Sequence, residues 1–197
     1  MTIPLAILFG VVYFCTNWIT SRRTDNYRLF FDWEQAIPFV PAMIYIYASL
    51  LVLLVLPAFT LTKLQLTALA RAMVVTLFTA AAIYLLLPAD LGFERPDYVP
   101  GYDAVFQTLY ALEMPHNLVP SLHIATSALF IAAVRNNLSS SWSRAVFIVW
   151  GILICASVLL VHQHHVLDVI SGLLLGYLSY RLVYLHSIQS DEIGATY

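Results

Sequence analysis

The chain has 197 residues, of which 61% are hydrophobic and only 10% charged, with a formal net charge of −2 at pH 7. Soluble domains carry about 25% charged residues, so this composition points to lipid as the surrounding solvent. The slightly negative charge excludes the broad basic surface that a nucleic-acid partner requires. Cys15 and Cys155 both lie inside apolar runs and read as small hydrophobes, outside any disulfide or zinc pattern.

A helix needs about 20 mostly apolar residues to cross a bilayer. Six blocks approach that length: 2–20, 41–60, 67–88, 119–134, 144–161 and 166–186. The expected fold is all-α, a polytopic bundle of six transmembrane helices, with residues 1–197 forming one integral membrane domain. The first block has no basic residue before it and no small-x-small pattern ahead of Ser21, and reads as a retained span. The fourth is the shortest and is expected to borrow length from the residues before it. Residues 21–40 mix Arg22, Arg23 and Arg28 with Tyr27, Phe30, Phe31 and Trp33, which suits an amphipathic segment at headgroup level. The turns at 61–66 and 135–143 are short. In the long 89–118 connection, Tyr98, Tyr102, Phe106 and Tyr110 recur every four residues with Asp103 and Gln107 between them. At helical spacing this is an aromatic stripe opposite a polar face, either a surface lid or an interfacial anchor. Lys63, Arg71, Arg135, Arg144 and Arg181 on one side, against Arg22, Arg23, Arg28 and Arg95 on the other, lean towards both termini inside.

With six spans, the end of the third, the start of the fourth and the start of the sixth share one membrane face. The unusual polar residues collect at those three points: Arg95-Pro96, then Pro120-Ser121-Leu122-His123, then His162, His164, His165 and Asp168. On a helix His164 and Asp168 share a face and come within hydrogen-bond reach. A carboxylate on one imidazole nitrogen fixes the tautomer and leaves the other nitrogen free to attack. An ionisable residue one turn into an apolar helix is costly and marks function by default. Gly172 and Gly176 continue the same stripe and admit a neighbouring helix closely. Ser121 reads as an N-cap with His123 in the first turn, where outward-pointing amides suit a phosphate. The planar guanidinium of Arg95 suits phosphate oxygens. Other chemistries compatible with these residue types are a zinc site using His123, His164 or His165 and Asp168, and a transporter or proton relay.

Together these residues resemble the type 2 phosphatidic acid phosphatase (PAP2) superfamily of lipid phosphatases and lipid phosphotransferases, whose members are six-span bundles with three motifs. The first is a lysine, six residues, then Arg-Pro; Arg95-Pro96 matches, but Pro88 stands at the lysine position. Pro120-Ser121-Leu122-His123 matches the second in full. In the third, Ser157, His164 and Asp168 match, but Val158 stands where the family has arginine. The stretches Gly92–Pro96 and His162–His165 resemble small bacterial members described as phosphatases. His164-His165 and the looser motifs resemble sphingomyelin and inositol phosphorylceramide synthases, which transfer headgroups between lipids.

The resemblance implies His164 as nucleophile through a phosphohistidine and Asp168 as its orienting partner. It implies His123 as the acid for the leaving oxygen and then the activator of water or an acceptor hydroxyl. Arg95, Pro120 and Ser121 would hold the phosphate, with His162, His165 and His116 as auxiliary candidates for the missing positive charge. It further implies a lipid phosphate substrate among membrane lipids, no metal or other cofactor, and an active site on the extracytoplasmic face of the inner or plasma membrane.

Overall fold

The computed structural model describes residues 2–113 and 115–194. It is helical, with no strand among the described residues and one isolated bridge between Tyr27 and Ala89. Helix α1 covers Thr2–Thr20. The apolar run that follows is broken into a 3-10 turn at Pro41–Met43 and the short helices α2 (Ile44–Ala48), α3 (Leu50–Val55) and α4 (Pro57–Thr60). The last break falls at Pro57, which has no N–H to donate into the turn before it. The other falls at Ser49, whose Oγ turns back to the Ile46 carbonyl at 2.5 Å and accepts from Trp150 Nε1 at 2.8 Å.

Helix α5 (Lys63–Leu86) opens with a reciprocal cap: Gln65 N–H donates to Thr62 Oγ1 at 3.3 Å, and Thr62 N–H donates to Gln65 Oε1 at 3.0 Å. Helix α6 (Asp103–Leu112) occupies the long connection. Then come α7 (Leu122–Arg135), α8 (Ser141–Leu160) and α9 (Val166–Ser179), the last continuing through a π turn at Tyr180–Tyr184 into α10 (Leu185–Gly194).

Four stretches are long and apolar enough to cross a membrane: Pro41–Thr60, Lys63–Leu86, Ser141–Leu160 and Val166–Asp191. Pro4–Thr20 and Leu122–Arg135 are apolar but shorter. The chain is therefore an all-helical membrane protein with four helices of spanning length, where the sequence led to an expectation of six spans. Helix α7 does not borrow length upstream, because Ser121 caps it, accepting from Ile124 N–H at 3.3 Å. Its 14 residues rise about 21 Å, short of a hydrocarbon core of about 30 Å. It is also the most enclosed helix: ten of its 14 residues are buried, against three of 20 in α8. It forms the centre of the bundle, while α8 shows most of its surface outward.

The tightest packing joins α7 to α9. A Cβ on Gly172 would stand 2.6 Å from the Ser121 carbonyl oxygen, and one on Gly176 would stand 2.5 Å from that of Ala125. The glycine stripe read from the sequence thus lets the two backbones touch at the level where both helices begin. Helix α5 closes another side, with Thr76 Oγ1 donating to Ser179 Oγ at 2.7 Å and Tyr84 Oη donating to the Pro120 carbonyl at 2.7 Å. Helix α1 lies along α5, where Phe9, Val12 and Tyr13 pack on Leu77, Ala80 and Tyr84.

The aromatic stripe is only partly helical. Tyr98 and Tyr102 precede α6, because Pro100 and the left-handed Gly101 (φ 76°) interrupt the chain before Asp103. Phe106 is fully buried against Phe39, with ring centroids 5.2 Å apart, so this face of α6 packs into the protein.

Gly176→Ala is expected to lower stability by about 1–3 kcal/mol through overpacking. Thermal unfolding of the purified variant in detergent micelles checks this, with Gly10→Ala, which meets nothing within 4 Å, as the neutral control.

Candidate active site

The chain leaves α8 through a tight loop that determines where His164 stands. The Val158 carbonyl accepts from both Gln163 N–H (3.0 Å) and His164 N–H (3.1 Å), pinning the loop to the last turns of α8. His162 takes the left-handed conformation (φ 55°) that turns the chain, and its Nε2 lies 2.9 Å from the Ile37 carbonyl. Helix α9 begins only at Val166, so His164 lies outside the helix that its spacing to Asp168 suggested. The pair forms nevertheless. His164 Nδ1 lies 3.1 Å from Asp168 Oδ2, and the same oxygen accepts His165 N–H at 2.9 Å. With Nδ1–H directed at the carboxylate, His164 Nε2 carries the free lone pair. Both side chains are buried. The Asp168 carbonyl also accepts Ser121 N–H at 3.0 Å, which joins the start of α9 to the start of α7.

His123 stands in the first turn of α7, its ring stacked on Tyr47 with centroids 4.1 Å apart. Its Nε2 is buried without a hydrogen-bond partner among the described residues. His123 and His164 line one small cavity of about 130 Å³, together with Tyr13, Tyr47, Glu113 and Thr126. Two imidazoles facing one void, one of them braced by a carboxylate, suit a nucleophile and a general acid acting on the same group.

Arg95 reaches the His164 loop from the 89–118 connection. Its guanidinium donates to Gln163 Oε1 at 3.0 Å and sits 4.7 Å over the Tyr110 ring, while its Nε is buried and unpaired among the described residues. The three polar clusters therefore converge at one end of the bundle. Pro120 and Ser121 are buried, and their described contacts are internal: the Pro120 carbonyl is held by Tyr84, and Ser121 caps α7 and binds Asp168. Those contacts hold Pro120 and Ser121 at the start of α7, beside Asp168 and Tyr84.

Burial works against a positive charge on the auxiliary histidines. Burial pushes His116, His162 and His165 below the ordinary histidine range, against the opposing pull of Asp90, the Ile37 carbonyl and Asp168 respectively, so all three favour the neutral form at pH 7. His165 is also fully engaged. Gly92 N–H donates to its Nε2 at 3.1 Å, so its Nδ1 carries the proton and donates to Glu34 Oε2 at 3.1 Å. Its ring lies between Phe30 and Phe93, with centroids at 4.5 and 4.3 Å.

Glu34 escaped the sequence reading. It is fully buried, and Oε2 also accepts Val166 N–H at 2.8 Å, while Oε1 accepts Phe31 N–H at 3.0 Å. The 21–40 segment is thus a strap over the site. Tyr27 pairs with the 88–90 backbone, Glu34 holds the start of α9, and Val40 N–H donates to the Leu160 carbonyl at 2.8 Å. Its Phe31 and Trp33 are exposed. Glu113 and Tyr47 were missed as well; they meet in a hydrogen bond from Tyr47 Oη to the Glu113 carboxyl.

The PAP2 superfamily model matches residues 69–190, which include all three polar clusters. The chain belongs to the PAP2 superfamily. Members of the PAP2 superfamily are phosphatases or related phosphotransferases. No curated protein and no solved structure matches the chain. Glu34 and Tyr47 lie outside the matched PAP2 region, and Glu113 lies inside it. At the two positions where the PAP2 motifs carry cations, the Pro88 carbonyl accepts Tyr27 N–H at 2.7 Å and Val158 is fully buried.

Glu34→Ala is expected to cost about 1–3 kcal/mol for each donor left buried and unpaired among the three that Glu34 accepts from, His165 Nδ1–H, Val166 N–H and Phe31 N–H. Thermal unfolding with and without the substitution measures the loss, and Glu34→Gln, which keeps an acceptor oxygen, should recover part of it.

Proposed function

We propose that the protein is a membrane-embedded lipid phosphatase that hydrolyses a lipid phosphate or diphosphate through a phosphohistidine intermediate. The observation that carries this reading is the Asp168-braced His164 facing the same cavity as His123, whose Nε2 has no partner among the described residues. In the first step His164 Nε2 attacks phosphorus, and the bond to the leaving oxygen breaks. With the anionic phosphate bound beside it, His123 takes up a proton and gives it to that oxygen. In the second step neutral His123 takes a proton from water, whose oxygen attacks the phosphohistidine and releases phosphate with His164 restored. Asp168 stabilises the charge that develops on the His164 ring, and Arg95 faces the equatorial oxygens, where negative charge gathers.

The proposal takes α1 and α7 as spans, giving six. The enclosure of α7 by its neighbours supports this, because a short helix covered by protein need not reach both lipid surfaces. On the PAP2 pattern, the site faces the extracytoplasmic side of the inner or plasma membrane.

A second reading, transfer of a phospho-headgroup to an acceptor alcohol, draws support from Pro88 and Val158 standing where the fullest PAP2 motifs have cations. Product analysis with and without acceptor lipid separates the two: free phosphate marks the hydrolase, and a new phospholipid marks the transferase.

The purified protein is expected to release phosphate from at least one of phosphatidic acid, phosphatidylglycerol phosphate and polyprenyl diphosphate, in excess EDTA and with inhibition by vanadate. His164→Ala and Asp168→Asn should abolish turnover, and His123→Ala should reduce it by about 10²–10⁴-fold. Undiminished phosphate release by His164→Ala would refute the assignment.

A further inference from the structure

The phosphate site contains a carboxyl group that the mechanism above leaves without a role. Glu113, at the end of α6, lines the cavity shared by His123 and His164. Tyr47 Oη donates to one of its oxygens, and the Tyr47 ring is the one stacked on His123. Five polar or charged groups face it from the surrounding elements. They are Tyr13 from α1, Tyr47 from α2, His123 from α7, His164 from the loop before α9, and Arg95 from the 89–118 connection.

An ionised carboxylate there would repel a phosphate, whereas a carboxylic acid presents an O–H donor. The rest of the site is short of donors and of charge. Arg95 is the one arginine among the described residues that bonds to the His164 loop. Arg23 and Arg28 are paired with Asp25 and Asp32 in the strap, and Arg22 stacks on Trp18.

We infer that Glu113 is a phosphate-contacting residue, donating a hydrogen bond to the bound phosphate beside His123 and His164 and supplementing Arg95. This rests on the phosphoryl-transfer reading of the site. Burial raises the Glu113 pKa, and the Tyr47 hydrogen bond, His164 and Arg95 pull less strongly the other way. The group is therefore a donor at pH values below that raised pKa. As pH climbs through it, the donor is lost and a repelling charge appears, so phosphate binding weakens on the alkaline side.

The test is the pH dependence of kcat/KM for the purified full chain and for Glu113→Gln and Glu113→Ala, on whichever lipid phosphate the wild type turns over. The amide of Gln donates at every pH. Glu113→Gln should stay within about tenfold of wild type below the transition and lose the alkaline fall attributed to Glu113, while Glu113→Ala should lose on the order of 10²-fold in kcat/KM. An unchanged alkaline limb in Glu113→Gln, or wild-type kcat/KM in Glu113→Ala, overturns the inference.

Binding of inorganic phosphate, measured by calorimetry, tests Glu113 independently of turnover. The wild-type to Glu113→Gln affinity ratio should fall as pH rises, and a constant ratio overturns the inference even where no lipid is hydrolysed. A wild type that binds phosphate with the falling ratio but hydrolyses no lipid in the panel would sink the function reading and leave Glu113 as a phosphate ligand.

Discussion

The organisation of this site depends on one buried carboxylate. Asp168 Oδ2 receives the Nδ1–H of His164 and the backbone N–H of His165, while its own carbonyl receives the N–H of Ser121. One residue thereby orients His164, caps α9 and fixes the height of α7, which carries His123. A carboxylate taken out of water is costly unless it is hydrogen-bonded, and here the two donors on Oδ2 belong to His164 and His165. The contact between backbones at Gly172 brings the Ser121 carbonyl to the same level, so helix packing and side-chain chemistry meet within one turn of α9.

A second layer repeats the device. Glu34 holds the His165 ring and the Val166 amide as Asp168 holds His164 and the His165 amide. The two adjacent histidines thus have different parts. His165 has both nitrogens engaged and lies between two phenyl rings, whereas His164 has one nitrogen engaged and lines a cavity. The strap that supplies Glu34 also presents Phe31 and Trp33 outward, so one segment both exposes aromatic rings and steadies the loop of the site.

What could be read from the sequence was what repeats or is local. The apolar blocks, the Gly172–Gly176 stripe, the Ser121 cap and the four-residue spacing of His164 and Asp168 each follow from helical geometry and appear in the structure. The pairing survives although His164 lies outside the helix, because an Asp in the first turn of a helix reaches back to the residues before it. Glu34 and Glu113 could not be read this way. Glu34 sits in a short 3-10 turn and Glu113 at the end of α6, each far along the chain from its partner, and nothing in their local pattern shows whether a carboxylate turns inward or to water. The run 41–60 concealed its breaks because Ser49 and Pro57 are too few to interrupt its hydropathy. The aromatic stripe was overextended because Pro100-Gly101 stops the helical period that the tyrosines suggest. His165 shows the limit of spacing arguments most plainly: beside His164 in sequence, it faces an acid in the strap.

The central claim is that His164, braced by Asp168, bonds to phosphorus. Rapid-quench trapping with a ³²P-labelled lipid phosphate tests it directly. The account predicts an acid-labile, alkali-stable label on the peptide containing His164 in the wild type, and no label in His164→Ala. A label on another residue, or turnover in a single-cycle experiment with no labelled enzyme at any time, would contradict it.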